Sequence, residues 1–82
     1  MERDYPLGLV AGEGQFPFLV ARGARQYQKK VVAIGLKGHT SGEIQQYVDG
    51  FLWLHLGQFG KMIAWFKKHQ VKEVVLAGGI CK

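Results

Sequence analysis

The chain has 82 residues, 48% hydrophobic and 21% charged, a balance that is typical of one small globular domain and excludes a disordered polypeptide. Its single cysteine, Cys81, excludes an internal disulfide, and we expect a buried free thiol there, with neither a secretory signal nor a membrane-spanning segment. The net charge of +5 favours an anionic partner, and we expect a cytoplasmic protein.

The first half of the chain predicts a strand, a helix and a second strand. Residues 7–11 are a short apolar run that ends at glycine, as buried strands do. Pro17 stands where a helix would begin, and an amphipathic helix is predicted over 16–28. The apolar residues expected on its inner face recur every three or four positions: Phe16, Val20, Ala24 and Tyr27. The β-branched run at 31–35 predicts the second strand.

The second half repeats this alternation. Thr40, followed three residues later by Glu43, resembles a capping box and predicts a short helix. Strands are predicted at 51–56 and 73–77, with a second amphipathic helix beginning near Gly60 between them. The residues expected on the inner face of that helix are Phe59, Met62, Ile63 and Phe66.

This order of elements predicts an α/β fold. We expect a single Rossmann-like, three-layer domain over residues 1–82, with a roughly four-stranded parallel sheet flanked by helices and the first strand at its centre.

Each predicted strand is followed by glycines. In a parallel sheet these loops share the carboxyl edge, where glycine lets backbone approach a ligand and helix N-termini attract anions. We therefore predict a phosphate- or ribose-binding site there. Its predicted binding residues are Gly12, Gly14, Gln15, Gly57, Gln58, Gly60, Lys61, Gly78 and Gly79.

An NAD(P)-binding domain of an oxidoreductase is one alternative. The Gly12-x-Gly14 turn before a helix is half of the dinucleotide fingerprint, but Pro17 replaces the last glycine. Such domains also have an acidic residue that binds the ribose hydroxyl, and Lys37 is the only charged residue in that part of the chain. A non-catalytic binding module is the other alternative; nucleic acid is disfavoured because the aromatic residues fall on predicted inner faces.

No set of residues forms a complete catalytic site. His39 lies on a glycine-flanked loop at the predicted edge, without a visible partner to orient it, and His55 is expected to pack within a strand. The comparison of Gly60-Lys61 with a P-loop fails, since Met62 replaces the required Ser or Thr. We leave catalysis unassigned and expect no metal site in this chain.

Three segments together resemble one known family. Residues 7–17, 56–63 and 74–80 are similar, in order and spacing, to the opening and two later segments of the LpxI-type UDP-2,3-diacylglucosamine pyrophosphatases. The resemblance extends from Leu7 to Lys82.

The resemblance implies that the chain is the N-terminal part of a two-domain hydrolase of Gram-negative lipid A biosynthesis. Such enzymes cleave UDP-2,3-diacylglucosamine to UMP and 2,3-diacylglucosamine 1-phosphate (lipid X), with Mg²⁺ or another divalent metal, at the cytoplasmic face of the inner membrane. The implied partners are the substrate and the enzyme's own C-terminal domain, which would hold the catalytic and metal-binding groups. Two further expectations are homodimerisation and contact with anionic lipid through basic residues of the helices: Arg22, Arg25, Lys67 and Lys68.

Overall fold

The computed structural model describes residues 5–79, which form a four-stranded parallel sheet in the order β3-β2-β1-β4. The elements in chain order are β1 (Leu7–Ala11), α1 (Phe16–Gln26), β2 (Val31–Leu36), a 3₁₀ helix (Gly42–Tyr47), β3 (Gly50–Leu54), α2 (Phe59–Lys68) and β4 (Glu73–Ala77). The predicted α/β class and the interior position of the first strand are confirmed.

Strand β1 organises the sheet because it pairs with β2 on one side and with β4 on the other. Leu7 is in register with Val31 of β2 and with Glu73 of β4. Leu9 is fully buried within this central strand. Burial of such a side chain stabilises the fold by about 1.5–3 kcal/mol.

The two helices lie on opposite faces of the sheet. Ala24 of α1 packs in a cluster with Leu9 and Ala33, whereas Phe66 of α2 packs with Val32 and Ile34. Because side chains alternate between the two faces of a strand, neighbouring positions of β2 contribute to different clusters. The result is the predicted three-layer arrangement.

Helix α1 presents only part of its predicted inner face to the sheet: Val20 and Ala24 pack in the core there, but Phe16 and Tyr27 do not. Phe16 and Tyr27 are 67% and 85% exposed, and the buried residues are Pro17, Ala21 and Ala24. Small residues on this face let the helix lie close to the sheet, so the aromatic residues turn outward. The helix ends at Gln26, before the predicted end at 28, where Gln28 has a positive φ of 58°.

Helix α2 covers only part of its side of the sheet. Phe66 is buried and Met62 half-buried, but Phe59 and Ile63, also predicted to face inward, are exposed. The reason is position: α2 packs against β3 and β2, and so leaves part of β4 uncovered. The exposed apolar residues on this side, called here the uncovered surface, are Phe59, Ile63, Val74 and Leu76.

Two local predictions were wrong in detail, and a third is not tested. Strand β3 ends at Leu54, so His55 is exposed beyond the strand instead of packed within it. The short helix is a 3₁₀ helix capped by Ser41, whose Oγ accepts a 3.3 Å hydrogen bond from the Glu43 N–H, and not by Thr40. The predicted burial of Cys81 concerns a position outside the described residues.

None of the helices within residues 5–79 is long and apolar enough to cross a bilayer.

Candidate functional site

The carboxyl ends of the four parallel strands meet at one edge of the sheet, and the predicted binding residues all lie there. Five of them follow β1 or β4, and four lie between the end of β3 and the first turn of α2. These form two groups, separated by the loop that follows β2, because β2 lies between β1 and β3 in the sheet.

The loops after β1 and β4 are paired through their backbones. The Glu13 N–H donates to Gly79 O at 2.6 Å, and the Gly79 N–H donates back to Glu13 O at 3.0 Å. A Cβ atom added at Gly12 would lie 2.5 Å from Gly79 O, and one added at Gly78 would lie 2.5 Å from Glu13 O. Both glycines are thus required by the contact between the loops, whatever the site binds.

Gly14 and Gln15 are the open members of this group. Gly14 has a φ of +97°, and a Cβ atom there would have no neighbour within 4 Å. Gln15 is exposed and precedes α1, whose first turn has neither a side-chain cap nor an acidic residue. Pro17 has no N–H and the Phe18 N–H donates to Gln15 O at 3.0 Å, so the feature that favours an anion here is the positive dipole end of the helix.

The group before α2 is also open. Gly57 has a φ of +97°, and Gln58 Oε1 closes the turn by accepting a 2.7 Å hydrogen bond from the His55 N–H. Gly60 has free space around it, and Lys61 is exposed in the first turn of the helix. The side chain of Gln58 therefore supports the loop, while Gly60 and Lys61 face solvent.

Two concave surfaces adjoin this second group. A groove of about 540 Å³ runs along β3 and is lined by lysines and tryptophans, namely Lys37, Lys61, Lys68, Trp53 and Trp65. On the other side, an almost wholly apolar pocket of about 290 Å³ is lined by residues that include Leu56, Phe59, Met62 and Leu76. The lysines place positive charge along the groove, whose lining also includes Leu52, Leu54 and Ala64, and the pocket suits an apolar group.

The loop after β2 is tied to the β1 loop by side chains. Thr40 Oγ1 donates a hydrogen bond to Ala11 O and accepts one of 2.8 Å from the Leu36 N–H. His39 Nδ1 lies 3.1 Å from Glu13 Oε2, so the carboxylate orients the imidazole ring.

No partner for His39 is visible in the sequence, and the structure supplies one in Glu13. The two residues are 26 positions apart in the chain, so no local pattern links them. A prediction that β1 and β2 are neighbouring parallel strands would have placed the loops of Glu13 and His39 side by side. The two strands are indeed paired, with Ala11 in register with Gly35 at their carboxyl ends.

Metal-ligating side chains do not cluster in the part of the chain that the structure describes. No group of three or more His, Cys, Asp or Glu side chains within residues 5–79 is placed to hold a metal ion.

The topology and the glycine-rich carboxyl edge together define an open α/β domain of the Rossmann-like class. A family model described as the LpxI N-terminal domain matches residues 6–82, and the chain belongs to this family. This membership relates the chain to an enzyme of lipid A biosynthesis. No curated protein matched the chain.

Substitution Gly78→Ala should destabilise the fold by more than about 1 kcal/mol. The added methyl group would meet Glu13 O, at a φ of +92° that alanine adopts only with strain. Urea denaturation measures the change. Gly23→Ala, at an uncrowded position within α1, is the matched control and should raise stability by roughly 0.5–1 kcal/mol. Equal stability of Gly78→Ala and wild type would contradict the loop pairing.

Substitution Thr40→Val should cost about 1–3 kcal/mol, because it keeps the shape of the side chain but leaves two backbone groups without their partner. Those groups belong to the buried residues Ala11 and Leu36. Thermal denaturation measures the loss. Ser41→Ala removes only an exposed, longer hydrogen bond and should have the smaller effect; the reverse ranking would refute the role assigned to Thr40.

Proposed function

We propose that this chain is the nucleotide-sugar-binding N-terminal domain of a hydrolase that cleaves UDP-2,3-diacylglucosamine. Addition of water across the pyrophosphate bond gives UMP and 2,3-diacylglucosamine 1-phosphate. The observation that carries the proposal is the family match over residues 6–82. The open loops at the carboxyl edge of the sheet support it, since open α/β sheets bind ligands there.

The proposed binding residues divide into a supporting and a contacting set. Gly12, Gly78 and Gln58 hold loops in place through the contacts described above. Gly14 and Lys61 are uncrowded or exposed at the starts of the two helices, where anions are favoured. We assign phosphate binding first to these two positions. The remaining members of the proposed site are Gln15, Gly57, Gly60 and Gly79.

Cleavage is assigned to another part of the enzyme. Hydrolysis of a pyrophosphate needs charge neutralisation and a positioned water, commonly supplied by metal-bound carboxylates. We propose that a C-terminal domain supplies these groups and Mg²⁺, and that this chain alone binds without cleaving. The uncovered surface supports a covering partner, since Leu76 is 76% exposed beside the apolar pocket. Homodimerisation through the same surface is the alternative that sedimentation of the isolated chain would detect.

Substitution Lys61→Gln should weaken binding of UDP by about tenfold, because it removes a cation from the phosphate site. Calorimetric titration with UDP and UMP, with and without Mg²⁺, measures the affinity. Lys67→Gln makes the same change of charge at the far end of α2 and should stay within about twofold of wild type. Equal effects of the two variants would indicate general attraction by a basic protein. Failure of wild type to bind would oppose a nucleotide site in this domain.

A titration with NADH in place of UDP tests the alternative that the chain is an NAD(P)-binding domain of an oxidoreductase.

We further propose that the domain works at the cytoplasmic face of the inner membrane. The basic residues are divided between helices on opposite faces of the sheet, with Arg22 and Arg25 on α1 and Lys67 and Lys68 on α2. A flat membrane surface can therefore contact either the arginine pair or the lysine pair, but not both at once.

Charge reversal of one basic pair should reduce sedimentation with anionic liposomes several-fold, while reversal of the other pair should have little effect. The comparison is Arg22→Glu/Arg25→Glu against Lys67→Glu/Lys68→Glu, with zwitterionic liposomes as the control. Sedimentation that neither double substitution changes would refute membrane contact through these residues.

A further inference from the structure

The pairing of His39 with Glu13 is not needed to hold the loop after β2. That loop is already fixed by Thr40, and by hydrogen bonds from the His39 and Thr40 N–H groups to Leu36 O at 2.9 and 3.0 Å. The imidazole belongs to neither apolar cluster of the core. The pair is thus a polar contact added at the carboxyl edge, beside the open Gly14.

The contact determines which nitrogen of His39 is free. An ionised carboxylate only accepts hydrogen bonds, so Nδ1 carries the proton that faces Glu13, and Nε2 is left for another partner. Nε2 has no hydrogen bond to residues 5–79. The side chain of His39 is 20% exposed, so part of it reaches solvent.

The start of α1 favours an anion over a cation beside this pair, because Glu13 lies three residues before the positive dipole end of the helix. The charged residues of the adjoining loops are Glu13, which is engaged by Nδ1, and Lys37, which lies two residues before His39 and lines the groove. Among the described residues, the β4 loop places the uncharged Gly78 and Gly79 at this edge. When both ring nitrogens carry protons, Nε2–H is a charged donor aimed away from its carboxylate partner.

We propose that His39 binds a phosphoryl oxygen of the ligand through Nε2–H and that Glu13 is the residue that positions it. This inference rests on the proposed function and adds to it a side chain outside the glycine segments. His39 would link the two groups of the site, because its loop lies between them and contacts the β1 loop directly.

The sign of the effect of Glu13→Gln separates this role from a plain surface contact. A carboxylate that merely stands near a phosphate site repels the anion, so its neutralisation would tighten binding. A carboxylate that acts through His39 has the opposite effect, and its neutralisation weakens binding.

The experiment is a titration of the chain with UDP and with inorganic pyrophosphate, by calorimetry and by ¹⁵N NMR of the histidine rings. We expect His39→Gln to lower affinity for both ligands by about tenfold or more, and Glu13→Gln to lower it severalfold. In the wild type, pyrophosphate should shift the Nε2 resonance of His39 more than those of the other histidines. Glu43→Gln, at an exposed position outside the proposed site, is the matched control for Glu13→Gln and should stay within about twofold of wild type.

Three outcomes would overturn the proposal. Tighter binding by Glu13→Gln would show that the carboxylate only repels the ligand. Wild-type affinity of His39→Gln, together with an unmoved Nε2 resonance, would remove His39 from the site but leave nucleotide binding by the domain intact. Absence of any saturable binding of UDP by the wild type would refute both this inference and the binding role on which it rests.

Discussion

The parallel pairing of β1 with strands on both of its sides is the constraint on which the rest of the structure depends. It places the loops after β1, β2 and β4 side by side at one edge. It also brings Glu13 within hydrogen-bonding distance of Gly79 on one side and of His39 on the other. The candidate site is therefore a product of the order of the strands, and the local sequence of any one loop does not determine it.

The elements were predictable because apolar periodicity and glycine positions are local signals. Which residues of each helix face the sheet was harder to predict. In α1 the alanines at 21 and 24 face the sheet while Phe16 and Tyr27 face solvent, since close approach of a helix to a sheet favours small side chains over large ones. In α2, Phe59 and Ile63 are exposed because of where the helix lies over the sheet. The sequence of the ten-residue helix alone does not determine that position.

The grouping of the glycine-containing loops at one edge of the sheet was predictable, but the structural roles of the residues in them were not. Gly12 and Gly14 look alike in the sequence, yet the first is needed where two loops touch and the second borders open space. Thr40 resembles a helix cap but instead ties two strands together. The relation of His39 to Glu13 depends on a contact across 26 positions of the chain. Each of these distinctions depends on a tertiary neighbour.

The pairing of β4 with β1 has a consequence for the way the chain folds as it is synthesised. Leu7 is in register with Glu73, 66 positions later, whereas its partner in β2 is Val31. A chain made from its N-terminus can join the first three strands early, but one side of β1 stays an open edge until residues 73–79 have emerged. Such an edge is a template for pairing with other chains. The late synthesis of β4 therefore leaves β1 exposed to pairing with other chains for a time, and the pairing of β4 with β1 closes that edge.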